Sequence, residues 1–98
     1  MPYCYILFST SRNKYYVGST HTSLKERIVK HNTSYYGKHF TSQTSDWELY
    51  HAIQFDSYDL ARKCELHVKK MKSRKYIENL KKYPEMSEKI LTTLTEQL

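Results

Sequence analysis

Tyr3-Cys4-Tyr5-Ile6-Leu7-Phe8 is followed, after the polar stretch Ser9 to Asn13, by Lys14-Tyr15-Tyr16-Val17-Gly18. The first run is apolar on both alternating faces, the pattern of a central strand covered from two sides. Asn13 tolerates a positive φ, and the second run is again β-prone, so the two segments predict a hairpin. Tyr5 and Tyr16 lie on the paired strands, close enough to meet if they share a face. Strand tyrosines are most often packing residues with a wet hydroxyl, so the pair alone does not define a site.

Outward from the hairpin, Ser23-Leu24-Lys25-Glu26 has capping-box spacing and predicts a helix from Ser23 to about Asn32. Residues 33–46 have no usable period, and a structureless stretch of that length in a small domain is more often functional than ornamental. From Trp47 to Phe55 the sequence alternates, which predicts a third strand with Trp47, Leu49, His51, Ile53 and Phe55 on one face. His51 reads as a satisfied or rim histidine. Asp56 and Ser57 offer caps for a helix from about Tyr58 to Lys72, with Leu60, Cys64, Val68 and Met71 as its apolar stripe. Further helical turns follow over Arg74 to Tyr83. Pro84 then opens a last helix with Met86, Ile90, Leu91, Leu94 and Leu98 roughly on one side. That helix has an apolar side to bury, against the core or against a second copy.

The expected fold is therefore α/β: a small three-stranded antiparallel sheet, in the order β-β-α-β-α-α, flanked by helices and extended by a C-terminal helix. The chain has 98 residues, enough for one domain, read as 1–82 with 83–98 a helical extension rather than a separate unit. A composition 39% hydrophobic and 27% charged excludes a disordered chain. The longest apolar run is far short of the ~20 residues that span a bilayer, so no membrane partner is expected. The N-terminus lacks a basic-then-apolar signal layout, and Cys4 and Cys64 are too few for a disulfide framework or a four-cysteine zinc site. A reduced cytoplasmic setting fits best.

The formal net charge is +6, and its placement is more informative than its size. Residues 69–82 hold seven Lys/Arg, including Lys69, Lys72, Arg74 and Lys75, against Glu78 alone. The remaining segments nearly cancel. Such clustering attracts a phosphate backbone through counterion release; the alternative is a solvated helix face kept soluble by its lysines.

On the first helix, Arg27 and His31 are one turn apart, and a helical wheel puts both at the border of the apolar stripe. An arginine at a buried edge needs an anion, which a phosphate supplies, unless its stem simply covers the core. Glu65 lies at the margin of the second helix's stripe. A carboxylate there either pairs with lysines or holds a divalent cation, because Mg²⁺ accepts one or two protein carboxylates and completes its shell with water and phosphate. A Gly-rich phosphate loop is excluded by a chain whose only glycines are Gly18 and Gly37.

Taken together, Tyr3-Cys4-Tyr5-Ile6-Leu7, the interval from Tyr5 to Tyr16, and Tyr16-Val17-Gly18-Ser19-Thr20 resemble the GIY-YIG nuclease domain. Leu24 to His31 is similar to its arginine-bearing helix. Asp56 through Glu65, followed by Lys69 to Lys75, is similar to its glutamate helix and basic tail. The likeness covers about residues 3–80 and is nearest the stand-alone, single-domain bacterial type. Tyr3 and Cys4 stand where the family's first motif has glycine and isoleucine, and Val17 where the second has isoleucine.

The resemblance implies metal-dependent endonucleolytic hydrolysis of DNA phosphodiester bonds, with Mg²⁺ (or Mn²⁺) as cofactor and RNA not excluded as substrate. Tyr16 is then the expected general base, with Tyr5 ordering the site beside it. Arg27 is expected to stabilise the transition state, His31 to assist proton transfer or orient Tyr16, and Glu65 to hold the cation. Asn79 falls where many family members carry an asparagine after the glutamate helix. An ordinary phenol is only about 0.1% ionised at pH 7, so a tyrosine base needs neighbouring help. Substrate contacts are expected from Lys38, His39, Lys69, Lys72, Arg74 and Lys75. The alternative is a nucleic-acid-binding module on the same fold, catalytically weak or inactive.

Overall fold

The computed structural model describes residues 1–33 and 45–96. Strands β1 (Tyr3–Ser9), β2 (Lys14–Thr20) and β3 (Trp47–Gln54) form one antiparallel sheet in the order β2-β1-β3. Helices α1 (Leu24–Asn32), α2 (Tyr58–Met71), α3 (Arg74–Lys82) and α4 (Pro84–Glu96) flank it. The α/β order expected from the sequence is the one observed, with β1 in the centre.

A strand apolar on both faces makes two cores. Cys4 and Ile6 pack with Val17, Ile53, Phe55, the α2 stripe Leu60, Ala61, Cys64 and Val68, and Ile77, Leu80 and Ile90. On the opposite face Tyr5 and Leu7 pack with Trp47, and α1 covers them through Leu24 and Ile28. Ile90 places α4 in the larger core, with Met86 and Leu94 packed against it, so the last helix covers its own chain.

The single-face reading of the third strand is corrected. Ile6 pairs with His51 but Leu7 pairs with Leu49, so Tyr50 is an extra residue at a β-bulge. One inserted residue reverses which side each following side chain takes. Trp47 consequently joins the α1 side, while Ile53 and Phe55 join the α2 side. His51 is half-buried and its Nε2 lies 2.8 Å from Ser87 Oγ, the satisfied histidine expected.

The helix boundaries follow their caps. Ser23 accepts from the Glu26 N–H, Ser57 from Leu60 and Ser73 from Tyr76, each satisfying a donor of a first turn. Helix α2 stops because Lys72 turns left-handed, with φ 49°. Met71 beside that turn is 44% exposed, so the stripe ends at Val68 rather than Met71.

Side-chain bonds fix how α1 meets β3 and how β3 meets the hairpin turn. The Asn32 side chain donates to Trp47 O at 2.9 Å and accepts from Trp47 N at 2.7 Å. Asp46 accepts from Ser9 Oγ at 2.6 Å and from Ser11 N at 2.8 Å, tying the start of β3 to the hairpin turn. None of the helices among the described residues is long and apolar enough to cross a membrane.

Candidate active site

The register of the hairpin sets the first half of the site. Tyr5 stands opposite Gly18 and Leu7 opposite Tyr16, so the two phenols are diagonal neighbours on one face. Their ring centroids are 6.5 Å apart. Tyr5 is wholly buried and Tyr16 half-buried, with the Trp47 ring 6.3 Å away from Tyr16. The Tyr5 ring occupies the space that a side chain at position 18 would need.

Helix α1 brings the polar partners to this face. His31, in its last turn, is 2% exposed; its Nε2 lies 3.1 Å from the Tyr5 hydroxyl and its ring 4.6 Å from that of Tyr16. Arg27, one turn earlier, directs Nε to the Tyr5 oxygen at 3.5 Å. Burial, aided by the Arg27 charge, pushes His31 down to about 4, so the imidazole is neutral near pH 7. Arg27 therefore donates to the Tyr5 oxygen, and Tyr5 donates onward to Nε2. His31 thus hydrogen-bonds Tyr5, while the Tyr16 ring packs beside it at a tilt of 57°.

The second half lies at the outer edge of β2. Glu65 on α2 is 4% exposed. Ser19 Oγ donates to its Oε1 at 2.5 Å, and Lys69 Nζ and Arg62 Nη1 approach Oε2 at 2.6 and 2.7 Å. Burial alone raises this carboxyl, but the hydrogen bonds from Lys69, Ser19 and Arg62 outweigh it and hold the group below the usual carboxylate range. Glu65 is thus a buried, ionised, hard oxygen donor. The Lys69 ammonium also stands 5.9 Å from the centroid of Tyr16, so one charge bridges the carboxylate and the phenol face.

That donor set fits a small divalent cation. Among the described residues no group of three or more His, Cys, Asp or Glu is placed to hold a metal. A single carboxylate suits Mg²⁺, which keeps several waters and accepts substrate phosphate. Lys69 and Arg62, whose side chains are about half exposed, are the groups that a cation on Glu65 would displace.

The remaining expected residues fall in three places. Lys72, Arg74 and Lys75 are exposed around the α2–α3 junction. Asn79 lies on α3, where its carbonyl accepts from Tyr83 N, and Ile77 and Leu80 on either side of it enter the α2-side core. Lys38 and His39 lie outside the described residues.

Ser19, Arg62 and Trp47 are not among the site residues expected from the sequence. Arg62 and Lys69 stand three and four residues from Glu65, the helical spacing that brings charges together, and that was the available signal.

Two phenols, a guanidinium and a neutral imidazole thus meet on one sheet face of this α/β domain, with an anionic oxygen pair at the sheet's edge. Residues 1–79 match the family model described as the GIY-YIG catalytic domain, and the chain belongs to the GIY-YIG family, a nuclease-type family. No curated protein and no solved structure gives a match.

Proposed function

We propose that the chain is a Mg²⁺- or Mn²⁺-dependent endonuclease that hydrolyses phosphodiester bonds in DNA. The observation that carries this reading is the meeting of Tyr5, Tyr16, Arg27 and His31 on one face, joined through Lys69 to the ionised Glu65. A cation held by Glu65 supplies Lewis acidity toward a phosphate oxygen. The protein's own side chains do the rest. Tyr16, the more accessible phenol, takes the proton of the attacking water. Arg27 neutralises charge that grows on the phosphate as the bond breaks. His31 holds the Tyr5 hydroxyl, and with it the position of Arg27, without adding a second positive charge. Two free, buried thiols, Cys4 and Cys64, accord with a reduced cytoplasmic setting.

The test is cleavage of supercoiled and linear DNA, and of RNA in parallel, with Mg²⁺, Mn²⁺ or EDTA. Nicking that requires the metal, is lost in Glu65→Gln and Tyr16→Phe, and leaves DNA binding in EDTA intact is the expected result. A protein that binds DNA yet cuts nothing with any divalent cation is the binding module instead.

A further inference from the structure

A trough of about 370 Å³ runs between the hairpin turn and the α2–α3 junction, floored in part by Tyr15 and Val17. Lys14 stands on its hairpin wall, and Lys69, Lys72 and Arg74 on its helical wall. Among the described residues none that lines it carries a carboxylate.

The trough is built rather than merely charged. Arg74 donates from Nη1 to Asn13 O at 2.8 Å and from Nη2 to Asn13 Oδ1 at 2.9 Å, and lies over the Tyr15 ring at 5.1 Å. A guanidinium has five N–H donors, so this fork leaves others to face outward from a fixed position. Both walls also turn left-handed, at Asn13 (φ 52°) and Lys72 (φ 49°). Asparagine adopts that conformation readily. Lysine does not, and glycine is the usual residue after a helix end. A lysine kept there places charge at the lip of the trough at a cost in backbone strain.

We infer that this trough is a phosphate-backbone groove for duplex DNA, holding the strand that flanks the bond to be cut. The assignment of which bond rests on the nuclease reading; the binding does not. Lys69 belongs both to the trough and to the Glu65–Tyr16 contact, so the groove on the α2 side meets the site at the outer edge of β2. At about 3.3 Å per residue, Lys14 and Ser19 are separated along β2 by roughly 17 Å, a distance that a few consecutive phosphates of one strand cover. A scissile phosphate at the Ser19–Glu65 end therefore lays its neighbours over Lys69, Lys72, Arg74 and Lys14.

The experiment is fluorescence anisotropy of a short labelled DNA duplex in EDTA, over a range of potassium chloride, with cleavage measured separately in Mg²⁺. Lys14→Gln and Lys72→Gly, the latter also relieving the left-handed backbone, should each make the log–log salt slope less steep by about 1, and together by about 2. Lys89→Gln on α4 is the charge-matched comparison and should leave the slope unchanged. A double variant that binds like Lys89→Gln overturns the groove, even if the protein cuts DNA. Absence of duplex binding at low salt overturns it as well. The expected slope changes in a protein that never cuts leave the groove standing and remove the nuclease reading.

Discussion

The Tyr5 phenol fills the space where a side chain at position 18 would stand: a methyl on Gly18 would lie 2.6 Å from the Tyr5 hydroxyl oxygen and 2.7 Å from Cζ. Tyr5 is wholly buried and hydrogen-bonded to His31, so it has no open side to move toward. Gly18→Ala should therefore cost about 1–3 kcal/mol, the usual range for overpacking a filled site. It should also reduce DNA cleavage by moving the phenol off His31. Urea unfolding checks the first effect. In a Tyr5→Leu background the same substitution should cost much less, and an equal cost in both backgrounds would refute the contact as the cause.

The buried imidazole sets a pH dependence. His31 titrates near 6.5 in an unfolded chain and at about 4 in the fold. Between those values the unfolded state binds more protons, so stability is full above pH ~6.5 and falls as the pH drops toward ~4. The limit is about 3 kcal/mol at 1.36 kcal/mol per pH unit. His51 is also held low, by burial and by Lys81, so the comparison is with a His31→Asn variant rather than with zero slope. That variant should lose most of the stability difference between neutral pH and pH ~4.5, read from urea midpoints.

Lys69 and Arg62 compete with any cation for the Glu65 carboxylate. Half-exposed ion pairs are worth roughly 0.5–1 kcal/mol. Lys69→Ala should accordingly tighten Mn²⁺ binding about two- to fivefold, measured by titration calorimetry or by the free-ion EPR signal. Glu65→Gln should abolish that binding. Weaker Mn²⁺ binding by Lys69→Ala would mean that the lysine supports the cation rather than excluding it.

Ser19 donates to a buried ionised carboxylate at 2.5 Å, and hydrogen bonds to charged groups contribute about 1.5–3 kcal/mol. Ser19→Ala should lower stability near pH 7 by about 2 kcal/mol. Because the bond favours the ionised form, the loss should shrink in acid as Glu65 protonates. A loss independent of pH would point to packing alone.

Much of the architecture is written locally. Ser23 and Ser57 mark helix starts by their own side chains, and the Tyr3–Gly18 stretch predicts its hairpin from alternation and one permissive turn residue. The bulge at Tyr50 is not local: it depends on how β3 meets Ile6 and Leu7 across the sheet, and alternation over Trp47 to Phe55 carries no trace of it. The site divides in the same way. Arg27 and His31 share a face by helical spacing alone. Ser19 becomes a partner of Glu65 only once α2 is laid along β2, and Lys69, which the sequence counts among the DNA-binding cations, proves to be held by the carboxylate.

The double clasp between Asn32 and Trp47, with Asp46 fastened to the hairpin turn, closes a ring at the base of the stretch between α1 and β3. The spacing of α1 from the sheet is then indifferent to how much chain the ring encloses. Doubling an enclosed length costs only about 0.6 kcal/mol in closure entropy. Arg27 and His31 are thus aimed by bonds made at the two ends of that stretch, whatever lies between them.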